Sequence, residues 1–204
     1  MPTSTPAIYA SVILAAAIIS PLPSASQVFG LNMGESVIKV QAKGVNLKPE
    51  GNYIFSTPRL PKGNSLFDDY RMTIPPKSGL CKITAWISEI DDSPYGDSTK
   101  SKYNSLLGAL SAKYGEPTNS FDFLRAGAIW TGSREWMMSL LQNERNLAAF
   151  WTIKDGAKLT GNLQSISLTA TGVTGSVSMI SVSYEFKNLD ACFEEKQSIN
   201  QQNL

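Results

Sequence analysis

The sequence contains no histidine among its 204 residues. Histidine is the usual base that activates a serine or cysteine nucleophile, and it is the commonest metal ligand among side chains. Its absence excludes Ser-His and Cys-His catalytic arrangements and removes the usual ligand of transition metals. A catalytic site in this chain would have to use a pair of carboxylates, a serine-lysine pair or a bound cofactor.

Charged residues are scarce and evenly balanced. The 18 Lys and Arg residues stand against 17 Asp and Glu residues, which gives a net charge of +1. A nucleic-acid-binding surface needs clustered Lys and Arg to neutralise phosphates. Glycines such as Gly30 and Gly34 do not form a phosphate-binding GxGxxG pattern. The composition therefore predicts no nucleic-acid partner and no nucleotide cofactor.

The first 26 residues predict a secretory signal peptide. They run from an uncharged start through an apolar block at residues 8–19 into prolines and small residues, which is the layout of such leaders. Cleavage is predicted after Ser26 or after Ala25. A membrane anchor is the disfavoured alternative, because the block is shorter than the roughly 20 residues needed to span a bilayer. We expect a periplasmic or secreted protein with no stable membrane insertion after the leader is removed.

Only two cysteines are present, Cys81 and Cys192. An exported destination permits a disulfide between them, although a pair of free thiols is the alternative. A bond would tie the middle of the predicted sheet to the C-terminal end of the chain. Closing a loop of that length should stabilise the fold by roughly 4–5 kcal/mol.

The stretch after the leader predicts one short helix and three strands. Ser36 is the candidate N-cap of the helix, and Gly44 ends it. Alternation of apolar and polar residues and flanking turn signals predict the strands at residues 52–57, 67–74 and 80–90. Trp86 lies on the more polar side of the third strand, so it is either buried under a helix or exposed.

One amphipathic stripe predicts a helix at residues 98–114. Asp97 or Ser98 is expected to cap its start, and Gly115 to end it. The apolar stripe consists of Tyr103, Leu106, Leu107, Leu110 and Tyr114.

Three of the four tryptophans lie within residues 129–151. Ser133 is the candidate N-cap of a second helix, with Glu135 in its first turn. Its apolar side consists of Trp136, Met137, Leu140 and Leu141. This side could form a binding surface, but we favour burial against the sheet because a helix with one apolar stripe normally packs it within its own domain.

Further strands flank and follow this helix. They are predicted at residues 118–123 and 147–154, and two more show clear alternation with Ser and Thr on the opposite side. The alternating apolar residues are Ile166, Leu168 and Ala170 in one strand and Ile180, Val182, Tyr184 and Phe186 in the other.

These elements predict an α+β fold, with an antiparallel sheet or sheets made from two helix-plus-β-meander units and helices packed on one face. The single domain is predicted at residues 27–192. It shows an approximate duplication into halves 27–117 and 118–192, each with a short helix and three strands, and helix 98–114 bridges them. Residues 193–204 are predicted to be a polar tail that frays.

Two short motifs support a resemblance to a family. FGLNMGESVIKV at residues 29–40 resembles an entry motif of exported bacterial proteins, and KYGEP at residues 113–117 resembles the helix ending that follows it. Together they are similar to β-lactamase-inhibitor-protein-like modules, in which small helix-plus-sheet units are often fused in pairs and bind other proteins. The chain departs from the pattern after Ser36, where Ile38 and Lys39 replace acidic residues. Neither motif contains a catalytic residue.

Two other clusters could in principle support chemistry. Carboxylates in and near the loop at residues 91–97 could cleave a sugar or bind Ca²⁺, but Lys102 occupies the position of the bidentate acid in an EF-hand. The alternating Ser and Lys residues at 98–102 lie at a helix start. For both clusters we favour a solvated structural role. The carboxylates are Glu89, Asp91, Asp92 and Asp97.

We therefore expect an exported, non-enzymatic module that binds another exported or envelope protein, in the manner of an inhibitor or immunity protein. No catalytic, cofactor-binding or metal-binding residue is predicted. The candidate binding surface consists of Trp86, Asp91, Asp92 and Tyr95. An envelope hydrolase using the loop carboxylates and a small-molecule carrier with an apolar pocket are the alternatives.

Overall fold

The computed structural model describes residues 27–202, so the predicted leader and its cleavage site lie outside the described residues. Eight strands form one antiparallel sheet in the order β1-β2-β3-β4-β8-β7-β6-β5, and four helices pack against it. The predicted α+β class is confirmed. The elements are α1 Val37–Gln41, β1 Lys48–Gly51, β2 Ile54–Thr57, β3 Asp69–Thr73, β4 Lys82–Asp91, α2 Asp97–Tyr114, β5 Asn119–Leu124, α3 Trp136–Leu141, β6 Arg145–Thr152, β7 Leu163–Gly172, β8 Val177–Phe186 and α4 Leu189–Gln202.

The sheet consists of two four-stranded meanders that meet where β4 pairs with β8. Helix α2 connects them, as expected, but two details of the predicted halves are wrong. Each meander has four strands and not three: β1 forms a hairpin with β2 in the first meander, and β5 pairs with β6 in the second. Helix α3 does not precede the second meander and instead lies between β5 and β6. The duplication itself stays a prediction.

One face of the sheet carries the hydrophobic core. The alternating residues predicted in β7 and β8 are all buried, as are their neighbours in β3, β4 and β6. Helices α1, α2 and α3 contribute Val40, Leu106 and Met137 to the same cluster, so these three helices cover a single face. In the first half this cover is completed by Val28, Leu31, Val45 and Leu47 of the segment around α1.

The N-cap prediction is confirmed for α1 and wrong for α3. The Ser36 Oγ accepts a bond from the Lys39 N–H at 3.4 Å, which confirms it as N-cap of α1. Ser133 is not a cap, because it begins a 3-10 turn, Ser133–Glu135, that runs into α3. Gly132 stands in the N-cap position there, and its N–H donates to the Glu135 carboxylate at 2.7 Å.

The aromatic segment before β6 is part of the core. Trp136, Met137 and Leu140 are at most 5% exposed, whereas Leu141 is half-buried. The Trp136 ring lies flat against Gly96, where an added Cβ would overlap the ring.

The tail predicted at residues 193–204 is helical as far as it is described, because α4 continues to Gln202, so the predicted fraying is wrong for residues 193–202. A disulfide joins Cys81 and Cys192, whose Cα atoms are 6.5 Å apart. The Glu195 carboxylate accepts bonds from the main-chain N–H groups of Lys77 and Ser78, both at 2.8 Å. These contacts fix α4 to the turn before β4. Each contact joins two residues that lie more than 100 positions apart in the sequence. Within residues 27–202, no helix is long and apolar enough to cross a membrane.

Candidate functional site

The second face of the sheet carries no part of the main core cluster, and we call it the open face. Residues that pair across the strands point to the same side, so the register defines two rows that cross the sheet. One row is Ser56, Arg71, Thr84, Ser183, Ser167 and Phe150, and the other is Asp69, Trp86, Ser181, Thr169, Ala148 and Phe121. The open face is therefore rich in hydroxyls and carries a few large side chains.

Trp86 is half-buried and lies on the open face, opposite the face that α1, α2 and α3 cover. The Arg71 guanidinium lies 5.1 Å from the centre of its ring, which is the range of a cation–π contact. Arg71 also lies 3.4 Å from the Asp69 carboxylate, and its side chain is 56% exposed. Trp86 and Arg71 thus form a partly desolvated aromatic and cationic pair that a binding partner could reach.

Four polar groups near this pair are bonded to one another. The Thr84 and Ser183 hydroxyls are 2.8 Å apart, and the Lys82 ammonium lies 2.9 Å from the Glu185 carboxylate. Partial burial raises the pKa of Glu185, but hydrogen bonds from Lys82 and Ser165 outweigh burial and hold this pKa below its ordinary value. Because its cations have acidic neighbours, the open face has little net charge.

A cluster of phenylalanines lies at the β5 end of the open face. Phe121 contacts Phe123 and Phe150 edge-to-face, with ring centres 6.0 and 5.9 Å apart. Phe121 is 38% exposed and Phe123 46% exposed. These residues were missed as site candidates, although their alternation within a short strand was a sequence signal that both side chains share a face.

Asp92 is a structural residue that caps α2. Its carboxylate accepts bonds from the Ser98 N–H at 3.1 Å, the Thr99 N–H at 2.6 Å and the Thr99 hydroxyl at 2.6 Å. Desolvation raises the pKa of Asp92, but these bonds outweigh it and lower the pKa overall. The predicted caps, Asp97 and Ser98, are wrong: Gly96 takes the N-cap position with a φ of 75° and no side-chain bond.

The other two candidate residues lie apart from Trp86. Asp91 is exposed at the end of β4, and Tyr95 is 39% exposed in the loop that follows. The Arg134 guanidinium lies 6.0 Å from the Tyr95 ring centre, which places Tyr95 beside the 3-10 turn before α3. The four predicted residues therefore contact different elements, and Trp86 alone belongs to the open face.

The loop carboxylates and the cavities bear on the alternative functions. Residues 27–202 contain no group of three or more Cys, Asp or Glu side chains placed to hold a metal ion. A cavity of about 390 Å³ lies between the N-terminal segment, α2 and β8. Phe29 lines this cavity and contacts Tyr184 and Phe67 edge-to-face, with ring centres 5.4 and 5.9 Å away.

Comparison with known proteins yields no similar protein, since no family model, curated protein or solved structure matches the chain.

Proposed function

We propose that the protein is an exported, non-enzymatic module that binds another exported or envelope protein through the open face of its sheet. The observation that carries the proposal is the Trp86–Arg71 pair on a face that, within residues 27–202, has no helix of the main core above it. Tryptophan and arginine are the side chains most enriched among residues that dominate binding energy. The Cys81–Cys192 disulfide supports an oxidising compartment.

The polar surroundings of the pair support protein binding further. The Thr84 and Ser183 hydroxyls and the ion pairs on the open face are bonded among themselves, so a partner can cover these groups without leaving them unpaired. Since the cations of this face already have acidic neighbours, association should depend only weakly on salt. The partner surface should be neutral and should offer a pocket for the Trp86 ring.

Site-specific photo-cross-linking tests this proposal. A photo-reactive amino acid at Trp86 or at Phe150 should cross-link one protein from envelope or secreted fractions. The matched control position is Ile38, which is 77% exposed on α1 and should not cross-link the same protein. Equal cross-linking from Ile38, or none from the open face, contradicts the proposal.

A small-molecule carrier is a second candidate, because the cavity beside Phe29 lies where such a ligand would enter between helix and sheet. Apolar dyes whose fluorescence rises on burial test it directly. Carrier function requires that Phe29→Ala and Leu110→Ala weaken dye binding while the Trp86→Ala variant leaves it unchanged. The hydrolase alternative receives no support from Asp92, since its carboxylate is occupied by the α2 cap.

A further inference from the structure

The two edges of the sheet differ in how well they are protected. At one edge, β1 has four residues, includes Lys48 and Pro49, and is irregular between Pro49 and Gly51. Such features prevent an edge strand from pairing with another chain. At the other edge, β5 has six residues, contains no proline, lysine or arginine, and pairs with β6 in unbroken register. Strand β5 is therefore an unprotected edge.

The free hydrogen-bonding groups of β5 can be assigned from its pairing. The Arg125 N–H donates to the Glu144 carbonyl at 2.7 Å, in the same register that pairs Phe123 with Asn146. Bonded and non-bonded residues alternate in an antiparallel pair, so Phe121 and Phe123 bond to β6. The main-chain groups of Ser120, Asp122 and Leu124 therefore point away from the sheet. In the described part of the chain, β5 has β6 as its sole neighbouring strand.

We propose that β5 pairs antiparallel with β5 of a second copy of this chain, with Phe121 opposite Phe121 of the second copy. This register places Ser120 opposite Asp122 on both sides of the two-fold axis, so these outward-pointing groups bond across it. It also places Phe123 opposite Asn119. The two sheets then join into one, and an isologous two-fold pair is the commonest form of protein dimer.

Charge favours this register over the one centred on Asp122. The single charge within β5 is Asp122, and its carboxylate lies 3.2 Å from the Arg145 guanidinium on β6. Shifting the axis to Asp122 would place two carboxylates directly opposite, which is destabilising. The proposed register instead places Arg125 opposite Pro117, and so beside the exposed Glu116 of the second copy. This attraction occurs twice, once on each side of the axis.

The register can be tested with a single introduced cysteine, because residues 27–202 contain no free thiol. Phe121→Cys should form a disulfide-linked dimer on mild oxidation, since Cα atoms in such a non-bonded pair lie about 4.5 Å apart. Phe123→Cys is the matched control: its two copies would be four residues out of register, or about 13 Å apart. More dimer from Phe123→Cys than from Phe121→Cys overturns the register.

Sedimentation velocity at increasing concentration tests the pairing itself. The unmodified protein should form dimers as its concentration rises, and Ser120→Pro should remain monomeric because it removes an outward N–H that β6 does not use. Ile38→Lys, a substitution at an exposed site outside the sheet, should dimerise as the unmodified protein does. A thermal melt should show that both variants stay folded.

Three outcomes would overturn the proposal: a monomer at every concentration, a dimer that Ser120→Pro leaves intact, or an extended segment of another protein that occupies β5 in its place. The proposal does not depend on the proposed function. Trp86 on β4 is separated from β5 by three strands, so Trp86→Ala should leave dimerisation unchanged.

Discussion

The two faces of the sheet are built from alternate residues of the same strands, yet they differ in what holds their side chains. On the core face, Trp136 is 5% exposed and packs against Gly96 and the strands. On the open face, Trp86 is half-buried and its ring contacts the guanidinium of the exposed Arg71. The contrast indicates that the core face carries the stability of the fold, which leaves the open face free to serve recognition.

The largest loss of stability is expected where the disulfide fixes α4 to the residue before β4. Replacing both Cys81 and Cys192 with serine should lower the free energy of unfolding by roughly 4–5 kcal/mol, because the unfolded chain regains the freedom of a 111-residue separation. Urea unfolding of this variant and the intact protein measures the difference. A loss below about 1 kcal/mol would show that the Glu195 bonds to Lys77 and Ser78 hold α4 without the disulfide.

Trp136→Ala tests the core face directly. Removing a buried tryptophan leaves a cavity, and the free energy of unfolding should fall by roughly 3–5 kcal/mol. Chemical denaturation measures the unfolding free energy of this variant, and Trp86→Ala is the matched control. If Trp136→Ala kept its stability but lost a binding partner, the functional surface would lie on the helices and not on the open face.

The Asp92 cap predicts how stability depends on pH. The pKa values of Asp92 and Glu195 are lowered in the folded protein from 3.8 and 4.5. Their carboxylates therefore stabilise the fold above those values, and the contribution is lost as the pH falls through the lowered pKa values. When the free energy of unfolding is plotted against pH, Asp92→Asn should reduce the slope of the acid limb. Glu195→Gln should flatten the same limb, since the Glu195 carboxylate accepts bonds from the Lys77 and Ser78 N–H groups.

The smallest effect on stability is expected on the open face. Trp86→Ala and Arg71→Ala remove one cation–π contact and part of a half-buried side chain, so each should lower the free energy of unfolding by about 1 kcal/mol or less. Urea denaturation checks this. If either variant lost as much unfolding free energy as Trp136→Ala, the two faces would not differ in their contribution to stability.

Much of this architecture follows from local sequence patterns. Helix α2 and strands β7 and β8 were predicted because their apolar residues repeat at the helical or strand period. Strand β1 was missed because Lys48–Gly51 has no apolar alternation and forms through its pairing with β2. Helix α4 was missed because its anchors, Cys81 and the turn at Lys77, are far away in the sequence.

The candidate site was only partly predictable, for a related reason. Trp86 stood out as a large residue on a polar strand face, but its neighbours Arg71 and Ser181 come from other strands. Only the cross-strand register places them together. Asp92 was assigned to a binding surface because its role as a cap depends on the conformation of Gly96 between it and the helix.

The most direct test of the account is to measure stability and partner affinity on the same variant, Trp86→Ala. With the partner identified by cross-linking, titration calorimetry and urea unfolding provide the two values. If the open face binds the partner, the affinity of Trp86→Ala should fall roughly tenfold or more, while its unfolding free energy stays within about 1 kcal/mol of that of the unmodified protein. Unchanged affinity in a variant that stays folded would contradict the assignment of the open face as the binding surface.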